Sequence, residues 1–417
     1  MINKINKYLF LLFPISFISG PLIPEIITLI LIIINFYNKN VIFEKKVFNY
    51  IEIKIILIFL IVIFFQSFFS IDYYLSFKNT LFYFRFLLLL IILKFIISSN
   101  KKILEKLHII LISVLIFLCF DLFIQFFFSE NLFGMKTIYN NNSRFSGLFG
   151  DEYIIGSYLL KVLPVLTFLT FYNIDKLSKI IYLASIFCHI FIYASIYISG
   201  ERSSFYLLFI FLALTMFSSK RILYFNLKLF VIFMPLLFAL FFLNQNLFKR
   251  HFNTALNQFK NFKEISLFSE INPKERLYVY NSLFNSSIIT FKENILKGSG
   301  PNTFRVSCDI NKQVHPNLVK NCSTHPHNFY IQLLSETGVV GFLIIALFYM
   351  YFCKVYIWDL TKKKILNIHS KPLVASILIN FFPLTTSGNF FNNWISYMIL
   401  LTIPFILYLK EEKIFYQ

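Results

Sequence analysis

The chain has 417 residues, of which 58% are hydrophobic and 14% carry a charge, with a formal net charge of +19. A soluble domain is about half apolar and about a quarter charged, so this composition excludes an ordinary soluble protein and indicates an α-helical protein that crosses the membrane several times. The positive charge does not indicate nucleic-acid binding, because the basic residues lie mostly between the apolar runs and otherwise in one long loop.

Apolar runs long enough to cross a bilayer recur along the whole chain. By length and hydropathy we predict about twelve spans, at residues 7–20, 22–37, 51–69, 78–98, 107–129, 151–172, 178–199, 203–218, 223–243, 328–353, 370–386 and 391–409. The first run has no clear small-residue cleavage site, so we interpret it as a span rather than a signal peptide. The chain thus divides into nine spans in 1–243, a large loop in 244–327 and three spans in 328–417.

The basic residues of the short connections predict the orientation of these spans. Lysines occupy both termini and every second connection, whereas the alternate connections "SGPLIP", "SFFSIDYYLS", "SGERSS" and "TTSGNFFNN" contain none. Short cytoplasmic loops carry the excess of Lys and Arg, so both termini are predicted to be cytoplasmic. Long loops cross the membrane largely regardless of charge, and alternation places the loop at 244–327 outside, together with "RFSGLFGDEY", "SGERSSF" and "HPHN".

The segment "NNNSRFSGLFGDEYIIGSYL", residues 140–159, is the first polar segment on the predicted outer side. Its glycines indicate a tight loop, and Asp151 is predicted to cap the next helix. This interpretation leaves Arg144 unexplained, because basic residues are scarce in the short outer connections.

Arg202, in "YISGERSSFYLL", is the second arginine on that side and lies just outside an apolar run. A guanidinium is well suited to bidentate binding of phosphate, and the N-terminus of the following helix also favours an anion. A side chain that only anchors its helix at the membrane interface fits the same pattern.

The long loop contains Arg276, a stretch with helical apolar spacing, and a turn "GSGPN" at 298–302. The stretch fits an amphipathic helix at the membrane surface or over a site, and it fits a solvated loop helix equally well. Cys308 and Cys322 lie in the same loop. An oxidising compartment permits a disulfide between them, although two unpaired loop cysteines are also common.

Two histidines precede a predicted span in "STHPHNFYIQLLSETGVVGFL", residues 323–343. The nearby helix N-terminus, close to Asn328, is expected to lower the pKa of a histidine and to attract an anion. A neutral imidazole at His325 or His327 can act as a general base, which suits transfer from a lipid-linked phosphate ester. Glu336 lies about 12 Å into the helix at 1.5 Å per residue, and an ionisable group at that depth implies a partner or a function. The spacing of potential ligands does not indicate a metal site.

These segments resemble the O-antigen ligase and polymerase family of bacterial membrane glycosyltransferases. "HPHNFYIQLLSETGVVG" is similar to the family's H-x-H-N and E-x-G-x-x-G elements, and "SGERSSF" to its Gly-x-Arg-Ser motif. "ERLYVYNS", "LKGSGPNTF" and "RFSGLFGDEYIIGSYL" resemble its Arg-containing periplasmic helix, its G-x-G-P-x-x-F turn and its R-x-x-G-x-F loop. The resemblance spans roughly residues 140–345 and implies an all-α, GT-C-like fold with amphipathic helices in one large periplasmic loop.

The resemblance also implies an activity. The donor would be a glycan on undecaprenyl pyrophosphate, and the acceptor a sugar hydroxyl on lipid A-core (ligase) or on another lipid-linked glycan (polymerase). Transfer would need no metal or other cofactor and would take place at the periplasmic face of the bacterial inner membrane. By carry-over His327 is the candidate base and Arg202, Arg276 and Arg144 the candidate pyrophosphate ligands, with Asn328 and His325 in support.

A transporter or flippase of a lipid-linked sugar is the alternative from a different class. Such a protein is expected to place basic residues inside its spans or to contain internal repeats. Arg85, Lys94 and Lys161 fall within apolar runs, but we find no clear repeat. Ligase and polymerase cannot be told apart at this level, because both need the same base and the same anion site.

Overall fold

The computed structural model describes residues 2–36, 46–137, 143–216, 219–253, 256 and 278–416, and these residues are mostly helical with no β-strand among them. The helices of eight or more residues are α1 (Ile2–Ser16), α2 (Leu22–Phe36), α3 (Ile51–Ser67), α4 (Tyr73–Ser99), α5 (Ile103–Phe128), α6 (Ile155–Tyr172), α7 (Lys179–Ile198), α8 (Arg202–Met216), α9 (Lys220–Leu243), α10 (Tyr278–Glu293), α11 (Phe304–Val314), α12 (Phe329–Leu360), α13 (Ser370–Asn380), α14 (Asn393–Leu400) and α15 (Ile403–Glu411).

Seven stretches of the described chain are long and apolar enough to cross a membrane. They are α4, α5, α6, α7, α9, α12 and the pair α14–α15. A helix satisfies its own backbone hydrogen bonds, which is the condition for crossing a bilayer, so the chain is a multi-pass membrane protein. The total of twelve spans stays a prediction, because α1, α2, α3, α8 and α13 are only 11 to 17 residues long.

Helix α6 lies at the centre of the bundle, where it packs against α7, α8 and α13. Nearly all of its side chains are buried. Helix α3 packs against both α4 and α12. Ends of α6, α8, α12, α13 and α14 line the candidate site.

Ion pairs collect at the opposite end of the bundle. They join Lys94 to Glu411, Lys101 to Glu412, Lys176 to Glu105, Lys371 to Asp359 and Lys410 to Glu52. These residues lie in the lysine-rich connections, near the helix ends that adjoin them, or in the C-terminal helix. One end of the molecule therefore contains the lysine-rich connections, and the other end contains the connections that are poor in lysine.

The last two predicted spans end or divide where the prediction had continuous helices. The span predicted at 370–386 ends as a helix at Asn380. The span predicted at 391–409 divides after Leu400, because Pro404 stands in the first turn of α15 and has no N–H to donate to the Leu400 carbonyl.

Helix α12 is broken at Gly338, whose φ of 60° and ψ of −167° are not helical. The segment 295–300 lies in the gap and satisfies the backbone groups that the break exposes. The bonds run from Val339 N to Ile295 O (2.8 Å), from Ser299 N to Ser335 O (2.9 Å) and from Gly300 N to Glu336 O (2.9 Å). Gln66 of α3 donates its amide to the Thr337 carbonyl at 2.8 Å. The predicted continuous span at 328–353 is therefore a helix with an inserted loop.

Two glycines permit this insertion. A Cβ on Gly338 would lie 2.4 Å from the Leu296 carbonyl carbon, and a Cβ on Gly298 would lie 2.4 Å from the Glu336 carbonyl carbon. Real Cβ atoms do not approach other heavy atoms so closely, so each position accepts only glycine without a shift of the backbone. Gly298 of "GSGPN" and Gly338 of "ETGVVG" thus lie on the two sides of one close contact between backbones.

The described part of the large loop contains α10 and α11, which pack on each other through a small apolar core around Leu283, Phe304 and Val319. Cys308 of α11 is bonded to Cys322, with the two Cα atoms 5.7 Å apart. Arg276 lies outside the described residues, so its place relative to this unit stays a prediction.

Candidate functional site

A cavity of about 680 Å³ opens at the lysine-poor end of the bundle. Its walls come from four connections that are distant in sequence, with Pro21, Gly150, Ser203 and Ser387 among the lining residues. Trp394 of α14 also lines it and fixes its indole by donating to the Phe17 carbonyl at 3.0 Å. Hydroxyl, amide and aromatic groups together make a surface suited to a sugar.

The turn before α8 forms one wall. Arg202 is the first residue of α8 and is partly exposed, while the next two residues, Ser203 and Ser204, line the cavity. Arg202 therefore lies at the start of a helix beside the cavity, where the helix dipole also favours an anion.

Glu201 fixes this turn to α6. Its carboxylate accepts from Gly156 N at 2.6 Å and from Ser157 Oγ at 2.6 Å, so it caps the N-terminus of α6 from the turn before α8. The sequence-based prediction that Asp151 caps this helix is wrong. The helix begins at Ile155, and Asp151 is exposed four residues earlier.

Arg144 lies against the same turn. A Cβ on Gly200 would be 2.2 Å from the Ser143 carbonyl oxygen, which shows how closely the two backbones approach. The Arg144 guanidinium donates to the Tyr153 carbonyl at 3.1 Å and lies over the Tyr153 ring, 4.6 Å from its centroid. The structure thus brings Arg144 and Arg202 to one turn, residues 199–202, although they are 58 positions apart in sequence.

Arg250 is a third arginine at this turn, and the sequence motifs did not reveal it. Its Nε donates to the Gly200 carbonyl at 2.7 Å, and the adjacent His251 ring bonds to the Tyr197 carbonyl at 2.9 Å. Arginine is rare in this lysine-rich chain, with seven among the 39 basic residues. The rarity of arginine was the signal that could have distinguished Arg250 within a loop rich in lysine.

His327 lies behind the wall that contains Ser387 and has a left-handed backbone conformation, with φ of 60°. Its carbonyl accepts from Ser387 N at 2.9 Å, and Ser387 lines the cavity. The His327 ring contacts that of His325, with centroids 4.2 Å apart, and that of Tyr280 at 5.9 Å. The two histidines therefore form one aromatic group with α10.

Burial determines the protonation of both histidines. It lowers the pKa of His327 below its ordinary value, and it lowers the pKa of His325 to about 4 with a further contribution from the neighbouring His327. The direction agrees with the sequence-based expectation, but the leading cause is desolvation rather than the helix dipole. At neutral pH His327 is an uncharged imidazole that can accept a proton.

The Asn328 side chain bonds to backbone groups of two segments. Its side-chain oxygen accepts from Tyr330 N at 3.0 Å and Ile331 N at 3.1 Å, which makes it the N-cap of α12. Its amide donates to the Pro383 carbonyl at 2.9 Å. Asn328 thus joins the start of α12 to the 381–392 connection.

Glu336 has two partners that the sequence did not reveal. Its carboxylate accepts from Phe304 N at 2.7 Å, at the N-terminus of α11, and from the Gln332 amide at 3.0 Å. Gln332 also donates to Asn389 Oδ1 at 2.7 Å, and Asn389 donates to Asn302 Oδ1 at 3.1 Å. The network connects the large loop, α12 and the 381–392 connection, whose Ser387 bonds to the His327 carbonyl.

Residues 186–346 match the family model described as O-antigen ligase. No curated protein sequence matches the chain at a significant level. The family match covers most of α7, then α8, α9, the large loop and the first part of α12. It confirms the resemblance for the motifs in these residues, whereas the segment at 140–159 lies outside the match.

Proposed function

We propose, from the match of residues 186–346 to the O-antigen ligase family, that this chain is an inner-membrane glycosyltransferase. It would transfer a glycan from undecaprenyl pyrophosphate to a sugar hydroxyl of lipid A-core at the periplasmic face. The family match supports a membrane glycosyltransferase that processes lipid-linked glycans. The donor, the acceptor and the side of the membrane are parts of the proposal.

In the proposed reaction the imidazole of His327 takes the proton of the acceptor hydroxyl. The hydroxyl oxygen then forms the new bond to the anomeric carbon of the glycan, while the bond from that carbon to the pyrophosphate oxygen breaks. Undecaprenyl pyrophosphate leaves with the electron pair, and its growing negative charge needs fixed positive groups. Arg202, Arg276 and Arg144 are proposed to supply them.

The observation that carries the proposal is the arrangement around the cavity. One wall adjoins the turn that collects Arg144 and Arg202, and another contains Ser387, which bonds to the backbone of His327. Ser387, which bonds to the backbone of the proposed base, and Ser203, which follows the cationic turn, thus line one space with other hydroxyl and amide groups. This arrangement suits a sugar acceptor and an anionic leaving group.

A flippase receives less support from the described residues. Arg85 is bound to Glu25 through two hydrogen bonds, and Lys94 pairs with Glu411 at 2.7 Å. Two of the three basic residues inside spans therefore have structural partners. Lys161 is the exception, and it lines the cavity.

Transfer by the purified protein tests the enzymatic proposal. Wild-type protein in nanodiscs should move a glycan from undecaprenyl pyrophosphate to lipid A-core, with unchanged activity after chelation of divalent ions. His327→Ala should abolish transfer, and Arg202→Lys should impair it because the bidentate geometry is lost. Full activity of His327→Ala would remove the general-base role, and a strict need for a divalent ion would reopen the metal question.

A gene deletion separates ligase from polymerase. Loss of all polymer from lipid A-core, with lipid-linked polymer still present, supports ligation. A single repeat unit retained on the core contradicts ligation and indicates polymerisation of lipid-linked units instead.

A further inference from the structure

Lys161 is a basic residue deep in the bundle that no step of the proposed reaction uses. It lies six residues after the start of α6, about 9 Å along the helix axis at 1.5 Å per residue. Its neighbours Leu160 and Val162 are buried. Lys161 itself is partly exposed and lines the 680 Å³ cavity.

The described part of the chain provides no direct partner for this ammonium, since Lys161 makes no hydrogen bond or ion pair there. Glu201 attracts it electrostatically. The carboxylate of Glu201, however, already accepts from Gly156 N, from both Ser157 N and Oγ, and from Ser204 Oγ. Lys94 shows the contrast, because it is equally deep in a span and is paired with Glu411.

A charged side chain inside a membrane span is costly unless it is paired or faces a water-filled cavity, and it usually marks a functional site. The surroundings of Lys161 fit that rule. Ser157 precedes Lys161 by one turn of α6, and Ser203 and Asn380 line the same cavity. These groups can bind the remaining oxygens of an anion whose charge the ammonium neutralises.

We propose that the Lys161 ammonium binds an anionic group, a phosphate or a carboxylate, of a substrate that enters this cavity. The identification of that substrate rests on the proposed function, which offers two sources: the pyrophosphate of the lipid-linked donor and an acidic sugar of the glycan. The presence of an anion subsite at Lys161 does not depend on that identification, so it can be tested without transfer.

Equilibrium binding to the full-length protein in nanodiscs is the primary test, with inorganic pyrophosphate and D-glucuronate as the two probes. Wild-type protein should bind at least one probe. Lys161→Met should weaken that binding at least about tenfold, and Lys161→Arg should keep it within about threefold because the charge remains. Loss of pyrophosphate binding assigns the donor, and loss of glucuronate binding assigns an acidic sugar.

Lys94→Met is the matched control, because it removes a lysine from another span and should leave the Kd of both probes unchanged. Thermal unfolding adds a second readout. Removing a charge inside a span that has no ion-pair partner among the described residues should keep or raise the Tm in Lys161→Met. Lys94→Met leaves Glu411 without its ion-pair partner and should lower the Tm.

Binding of neither probe to wild-type protein, or an unchanged Kd in Lys161→Met, overturns the subsite. A lower Tm in Lys161→Met together with unchanged binding would show a structural role instead. The result is independent of catalysis. A protein that transfers no glycan but loses anion binding in Lys161→Met contradicts the proposed function and supports the subsite.

Discussion

His327 combines a chemical and a conformational requirement at one position. Its φ of 60° is uncommon for a residue with a side chain, although His, Asn and Asp adopt it more often than others. Such a conformation persists only where the surroundings hold it, and here Ser387 N bonds to the His327 carbonyl. The strained backbone is an observed outlier beside a cavity and supports the choice of His327 as the reactive residue.

Asparagine is the more informative replacement at this position, because it removes the imidazole without straining the backbone. His327→Asn should abolish transfer while leaving the unfolding free energy nearly unchanged, because Asn tolerates the left-handed conformation. His327→Ala should abolish transfer and also lower the unfolding free energy by about 1 kcal/mol. Activity assays and denaturation of the two variants, measured in parallel, check both parts. Substantial activity in His327→Asn would show that the imidazole is not the base.

The lowered pKa of His327 predicts the acid side of the pH–rate profile. The base works only when unprotonated, so kcat/KM should stay level as pH falls from neutrality and decline only below the ordinary histidine value of 6.5. The profile of wild-type enzyme, measured at non-saturating donor, gives the apparent pKa of the free enzyme. An acid limb centred above 6.5 would contradict a base whose pKa is lowered by burial.

The sequence proposed candidate residues but not their conformations. The motif spacing and the charge bias selected His327, Arg202 and Arg144 as candidates, and their roles stay predictions. The partners of Glu336 could not be predicted, because they come from backbone and amide groups that any sequence provides. Arg250 was missed because it lies in a loop rich in lysine, where charge alone does not distinguish one arginine from its neighbours.

At the scale of secondary structure, the break in α12 depends on a contact between two backbones. Lengths and hydropathy predicted a helix near 328–353, and the structure has one at Phe329–Leu360. The interruption at Gly338 could not be predicted from apolar periodicity, because the residues on both sides are as apolar as in a continuous helix. The loop inserted at 295–300 and the Gln66 amide satisfy the backbone groups that the gap exposes.

Gly338→Ala should disrupt this contact. An alanine there would have to keep a left-handed backbone conformation, and its Cβ would lie 2.4 Å from the Leu296 carbonyl, so the variant should lose both stability and transfer activity. Gly134→Ala is the matched control, since Gly134 has φ of 75° but no heavy atom within 4 Å of the point that a Cβ would occupy. Its cost is limited to conformational strain, about 1–2 kcal/mol. Equal losses in unfolding free energy for the two variants would show that the close approach contributes nothing.

At the scale of the whole molecule, charge separates the two ends of the bundle. The lysine-rich connections and five of the ion pairs lie at one end, and the cavity lies at the other. The lysine pattern predicted this separation because the pattern reflects insertion into the membrane rather than local folding. The convergence of four connections on one cavity followed from the same alternation.

Reporter fusions test the orientation. Green fluorescent protein after Gln417 should fluoresce, because that end of the chain is predicted to be cytoplasmic. Alkaline phosphatase fused after Thr386, which lines the cavity, should be active because it would be exported. A non-fluorescent fusion at Gln417 together with inactive phosphatase at Thr386 would contradict the proposed topology.

The gap in α12 also constrains the order in which the protein is assembled. Every group that satisfies the exposed backbone of the gap, from Gln66 to Gly300, precedes Gly338 in the chain. Synthesis proceeds from the N-terminus, so the inserted loop and α3 are made before the broken helix. Backbone groups at membrane depth need partners, and here those partners are available when the second half of α12 leaves the ribosome. The break is therefore compatible with insertion during synthesis, whereas a loop drawn from the last 57 residues would leave it unsatisfied until the chain was complete.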